Sequence, residues 1–364
     1  MRAAIAEAGG FLPLERYLSL VLYAPNLGYY AAGARKFGEG GDFTTAPEMT
    51  PLFARTLAAP VATLLAAGTA RDVVELGAGT GALAADLVAA LAARDALPAR
   101  YRILEVSADL RERQRATIAA RAPAHLARVE WIATLPATID GAVIMNEVLD
   151  AVPPNVVARR GGEWQERGVV AAGDALQLAL RPLANPRVQA LAQARFPAEG
   201  DYESEVAPAA EALVESLARR VVAGGILILD YGFPEREYYH PQRAQGTLVG
   251  HYRHRVHDDP LLWPGLSDLT AHVDFTAAAL AGERGGLTVA GYGSLAAFLV
   301  GAGILEHLRA CGDPSSAAYL REAAAVQKLL SPAEMGELFK VLALVKGDAI
   351  VWPYFGDGDR THRL

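Results

Sequence analysis

What the chain lacks narrows its identity first. Its 364 residues include one cysteine, Cys311, so an internal disulfide and a cysteine-based zinc site are both excluded, and a reducing compartment suits it. No run of about 18 apolar residues occurs that would span a bilayer. The opening MRAAIAEAGGFLPLERYLSL has no apolar centre followed by a small-residue cleavage site, so the expected address is cytoplasmic, without membrane insertion. Excess positive charge is missing too. A net charge of −7 leaves no general grip on a nucleic-acid backbone, while a cationic ligand stays compatible with it. Internal repeats and low-complexity tracts are absent. With 52% hydrophobic and 21% charged residues, the composition is that of an ordinary globular protein able to bury a substantial core.

From residue 71 onward, short β-rich apolar runs alternate with helical stretches. The expected strands are Asp72–Leu76, Tyr101–Val106, Arg128–Ile132, Ala142–Asn146, Ile226–Tyr231, Leu287–Tyr292 and Phe339–Val345. Helices fit at Ala82–Ala93, Ala108–Ala122 and Ala207–Ala223. This alternation predicts an α/β fold, with a largely parallel sheet covered by helices on both faces and a last strand able to return antiparallel. Two segments break the rhythm. Residues 153–205 alternate like a hairpin or three-stranded meander around Gly161-Gly162, and residues 232–274, rich in Pro, Gly, His and aromatics, read as a functional loop. Residues 1–50 read as an arm or lid, and the three segments as additions to one domain spanning residues 51–364.

The stretch VVELGAGTGALA, residues 73–84, is a strand, a glycine run and a helix start. Gly77, Gly79 and Ala82 satisfy a dinucleotide pattern, whereas Gly77, Gly79 and Gly81 satisfy G-x-G-x-G. Such a turn in a dinucleotide fold holds a pyrophosphate on backbone N–H groups. Glu75, two residues before the first glycine, would repel it. Unit charges about 4 Å apart interact by roughly 4 kcal/mol at an effective dielectric near 20. The acid therefore favours a ligand with positive charge and no phosphate, which describes S-adenosylmethionine. Glu105, ending the next strand, suits the two hydroxyls of a ribose. An NAD-dependent dehydrogenase is the rival enzyme reading.

The fourth strand ends IMNEVLDAVP, at the sheet edge where ligands bind in open α/β folds. Asn146, Glu147 and Asp150 there are candidates to orient a cationic or N–H-bearing acceptor. The alternative is a helix start with Asn146 as cap and two acids favoured by the dipole. HYRHRVH spaces His251, His254 and His257 by three, without a pattern that completes a metal site. It reads as a polar loop closing over substrate. Asp230 and Asp274 are the remaining acids near strand ends, both with structural alternatives.

In order along the chain stand NLGYY, FGEGGDFTTAPEMT, VVELGAGTG, IMNEVLDAVP, ILILDYGFP, GTLVGHYRHRVHDDPL, PGLSDLTAHVDF and MGELFKVLAL. Together they resemble the MidA-type S-adenosylmethionine-dependent methyltransferases, whose mitochondrial members assist assembly of respiratory complex I. The resemblance covers nearly the whole chain. It implies a class I (Rossmann-like) methyltransferase fold, with a seven-stranded, mostly parallel sheet, an N-terminal extension and insertions. It also implies S-adenosyl-L-methionine as cofactor and arginine N-methylation of a protein, in the mitochondrial members a complex I subunit. Carried onto this sequence, Glu75, Gly77, Gly79 and Gly81 match the methionine-binding turn, and Glu105 matches the ribose acid. Gly41, Asp42, Phe43 and Thr45 match a segment expected to cover the cofactor. Asn146 and Glu147 match the acceptor-side motif. The chain departs from the family pattern at Ala46, usually Ser, and at Phe53-Ala54-Arg55, usually FGE. A non-catalytic assembly or scaffold protein retaining the pocket, and a small-molecule methyltransferase, are the alternative functions; a homodimer is one compatible assembly.

Overall fold

The computed structural model describes residues 1–31, 45–253, 255–347 and 349–364. Its main sheet contains β1 (Asp72–Leu76), β2 (Arg100–Leu104), β3 (Val129–Ile132), β4 (Ile139–Asn146), β5 (Val221–Phe233), β6 (Thr288–Ser294) and β7 (Phe339–Val345), in the order β6-β7-β5-β4-β1-β2-β3. Neighbours from β5 to β3 run parallel. The last strand, β7, inserts antiparallel between β5 and β6. The seven expected strands are all present, with ends displaced by a few residues.

Alternating side chains feed two cores, one on each face, as the two-residue period of a strand requires. Val73, Tyr101, Ile103, Ile144 and Leu227 join the core packed by α2 (Pro51–Ala66) and α3 (Ala82–Ala92). Val74, Leu76, Val143, Met145 and Ile228 join the opposite one. That second core includes Val214 and Leu217 of α5 (Pro208–Arg220) and Ala278 of α6 (Phe275–Arg284). The register lines up the strand ends: Leu76 pairs with Leu104 on one side and Met145 on the other, and Asn146 pairs with Leu229. Residues just beyond these positions therefore share one edge. Helix α4 (Ala108–Arg121) follows β2 and starts at the Ser107 cap.

The additions are more ordered than their sequence suggests. Asn155–Arg160, Glu163–Ala172, Ala175–Pro182 and Tyr202–Val206 form an antiparallel sheet, which the N-terminal Leu12–Pro13 joins by pairing with Val169 and Gly168. Helix α1 (Leu14–Tyr23) packs Leu14, Tyr17, Leu18, Val21 and Leu22 against Val156 and Val169. The segment expected as a loop over residues 232–274 contains a small three-stranded sheet instead, followed by the two-residue strand Val273–Asp274. Arg255–His257, Val249–Tyr252 and Asp268–Thr270 pair in that order. Strands of three or four residues rich in His, Arg and Gly leave no alternation to read, and pairing alone defines them.

Candidate active site

The aligned strand ends open onto a cleft of about 1210 Å³. At one end lies the glycine turn. Gly77 and Gly81 have φ of 64° and 85°, a region that costs an L-residue with a Cβ roughly 1–2 kcal/mol. A Cβ at Gly81 would also stand 3.0 Å from the Gln114 backbone, and one at Gly77 would stand 3.1 Å from Val148. Gly77, Ala78, Gly79 and Thr80 all line the cleft.

Glu75 lines it as well, although only 2% of its surface is exposed. Its strand position puts it on the face of Val73, so its carboxylate is embedded in an apolar layer. Burial pushes that carboxyl up to about 7, while a hydrogen bond from Tyr101, at 2.6 Å, pulls it back. Glu105 is fixed by two donors: the Ser107 N–H reaches Oε1 at 2.8 Å, and Gln114 Nε2 reaches Oε2 at 3.1 Å. Thr45 lines the cleft immediately before a short helix, Ala46–Met49. Glu48 in that helix accepts the Thr80 hydroxyl, tying the segment to the glycine turn. Gly41, Asp42 and Phe43 lie outside the described residues.

At the other end, Asn146 Nδ2 donates to Glu147 Oε1 at 3.0 Å. Glu147 has φ of 53°, unusual for a residue with a long side chain. The helix-start alternative does not hold here, because the residues after Glu147 form a turn. That turn is held by Asp230, fully buried on β5, whose Oδ2 accepts the N–H groups of Val148, Leu149 and Asp150 at 3.2, 3.0 and 3.3 Å. Burial, with Asp150 nearby, pushes the Glu147 carboxyl up to about 8. Burial likewise lifts Asp150 to about 6, against a hydrogen bond from Tyr231. Asp230 is pushed well above the carboxylate range by burial and by these two neighbours. No Lys or Arg among the described residues forms a salt bridge with any of the three carboxyls, and Asp150 Oδ1 is buried without a hydrogen-bond partner among them.

Several residues at this end are not assigned to it by the sequence alone, although all but Tyr23 lie within the motifs that carry the resemblance. Tyr23 and Tyr30 stack with centroids 5.4 Å apart, and Tyr30 donates its hydroxyl to Asp268 at 2.8 Å. All three line the cleft with Tyr231, His251 and His272. His257 instead bonds Ser267 at 2.8 Å, and His254 lies outside the described residues. Burial lowers His272 to about 4, so it is neutral at physiological pH. Asp274 caps α6, accepting the Ala277 N–H at 3.0 Å. Among the described residues, no group of three His, Cys, Asp or Glu is arranged to hold a metal ion.

Residues 54–293 match the model of a family described as "Putative S-adenosyl-L-methionine-dependent methyltransferase". This chain belongs to that methyltransferase family. A Burkholderia thailandensis protein of the family's fold, with a crystal structure bound to S-adenosyl-homocysteine, is 50% identical with a TM-score of 0.95, covering 100% of this chain and 95% of that one. The mouse protein named protein arginine methyltransferase NDUFAF7, mitochondrial, is 30% identical over 373 residues, 93% of this chain and 82% of its own. The Drosophila melanogaster homologue of that name is 30% identical over 384 residues, 95% and 84% respectively. The fold is accordingly the Rossmann-like class I methyltransferase fold, and S-adenosyl-L-methionine is the cofactor. The dehydrogenase reading falls. The cytoplasmic expectation is corrected as well, because these relatives are named as mitochondrial. Its physical basis was insufficient: a lone cysteine implies a reducing compartment, and the cytoplasm is not the only one.

The residues present fit the cofactor. A turn that excludes Cβ atoms allows close backbone approach, the buried Glu75 would offer a carboxylate to an ammonium or sulfonium, and Glu105 has its carboxylate already oriented.

Proposed function

We propose that this methyltransferase modifies arginine side chains of a protein, with a respiratory complex I subunit as the expected partner. The observation that carries the reading is the acidic, aromatic end of the cleft. Glu147 and Asp150 line it with Asp230 buried behind them, none of the three salt-bridged to a cation among the described residues, and an arginine guanidinium supplies one. Its planar fork matches carboxylates bidentately. The arginine named in the relatives points the same way, and the complex I partner follows from the MidA-type resemblance.

In this reading Glu75, Gly77, Gly79, Gly81 and Glu105 hold the cofactor, with Thr45 beside it. Bound S-adenosylmethionine supplies a methyl group on a cationic sulfur. Asn146 steadies Glu147 by its hydrogen bond, and Glu147 with Asp150 grips the guanidinium. A guanidinium nitrogen that gains a methyl gives up a proton, and Glu147 is the group at hand to take it. Residues 1–50 serve as an arm over the domain of residues 51–364, and the insertions at 153–205 and 232–274 complete the acceptor side. Incubating the protein with labelled methyl donor and extract from a deletion strain tests this. Label in methylarginine of a protein is expected, and label confined to small molecules would refute it.

A further inference from the structure

Gln114 has no exposed surface, and its side-chain amide is almost fully used. Nε2 donates to the Gly79 carbonyl at 3.1 Å and to Glu105 Oε2 at 3.1 Å. Oε1 accepts the indole N–H of Trp131 at 2.8 Å. An indole nitrogen only donates, so Trp131 fixes which end of the amide is oxygen and aims both N–H bonds at the cofactor end of the cleft. The backbone of Gln114 packs against Gly81. Nearby, Arg111 Nε donates to the Glu105 carbonyl at 2.7 Å, and the Arg115 guanidinium lies 4.5 Å from the Trp131 ring centroid. Helix α4 thus holds the glycine turn and the ribose acid in one frame.

We propose that Gln114 is the positioning residue of the nucleoside site, locking the Glu105 carboxylate to the glycine turn so that its free lone pairs meet the two ribose hydroxyls. Two acceptor sites of Glu105 are taken by Gln114 and Ser107, which leaves the remaining ones for ligand donors. The residue touches no reacting atom and acts through Glu105. The inference rests on Glu105 binding the ribose.

The test is a double-mutant cycle on S-adenosylhomocysteine affinity, measured by calorimetry for wild type, Glu105→Ala, Gln114→Met and the double variant. Glu105→Ala is expected to weaken binding more than about tenfold, and Gln114→Met about tenfold, as for loss of a hydrogen bond to a charged group. The double variant is expected to be no weaker than Glu105→Ala alone, while kcat at saturating cofactor stays near wild type for Gln114→Met. Unchanged affinity in Gln114→Met, or losses that multiply in the double variant, would overturn the proposal. Unchanged affinity in Glu105→Ala would remove the ribose assignment itself, and the proposal with it. If Gln114→Met does not fold, Gln114→Glu keeps the shape but sets a carboxylate against Glu105; wild-type affinity in that variant would equally overturn it.

Discussion

Tyr101 donates its hydroxyl hydrogen to Glu75 at 2.6 Å from the neighbouring strand, with both side chains buried and Glu75 at the cleft wall. This bond favours the ionised carboxylate, whereas burial favours the neutral acid. Tyr101→Phe removes the first influence and leaves the second. The Glu75 carboxyl then rises further, and a smaller fraction is charged at pH 7. Cofactor affinity at that pH is expected to fall about tenfold, the scale of a hydrogen bond to a charged group. Calorimetry with S-adenosylmethionine checks it.

The same carboxyl makes cofactor binding depend on pH. With Glu75 near 7 in the free protein, a cationic ligand binds the ionised form better, so affinity is expected to rise from pH 6 to pH 8.5. Glu75→Gln should bind weakly at both ends and flatten that profile. A wild-type profile already flat across the interval would contradict a cation beside Glu75.

Stability of the ligand-free protein follows the opposite trend. Glu75, Glu147, Asp150 and Asp274 are raised by burial to about 7, 8, 6 and 7. A carboxyl raised in the folded state contributes stability that is full below its unfolded value, near 4, and is lost as pH climbs through the folded value. Melting temperature without ligand is therefore expected to fall by several degrees between pH 5 and pH 8.5. Glu147→Gln should remove part of this fall, which differential scanning fluorimetry at a series of pH values reads directly.

Asp230 shapes the acceptor end without entering it. Its carboxylate satisfies three consecutive N–H groups and fixes the turn that leaves Glu147 at positive φ. Asp230→Ala strands those donors in a buried site and is expected to cost about 3 kcal/mol or more, since each unsatisfied group costs about 1–3 kcal/mol. Denaturant unfolding measures the loss, and methyl transfer should drop by more than the cofactor affinity does.

The sheet was legible because its strands are apolar and its turns carry glycine; DVVEL and AVIMN declare themselves by composition. The glycine turn was legible for the same reason, since Gly77 and Gly81 follow directly from a strand end and Glu75 and Glu105 stand at or just beyond strand ends. The acceptor end was only partly so. Asn146, Glu147 and Asp150 sit on one strand end, but Tyr23 and Tyr30 come from the N-terminal segment and Asp268 from a three-residue strand. Tertiary packing alone brings them together. Gln114 was hidden differently: a glutamine in mid-helix carries no local mark, and its role appears only when Trp131 and Glu105 flank it.

In the proposed function one cleft holds a cationic methyl donor at Glu75 and presents a cationic acceptor to Glu147. Single-turnover methyl transfer by Glu147→Gln, preloaded with labelled S-adenosylmethionine and given the labelled-protein substrate identified from extract, tests it most directly. The account predicts near wild-type cofactor affinity with transfer slowed at least about a hundredfold, the scale of losing a positioned base. Transfer at the wild-type rate would contradict it.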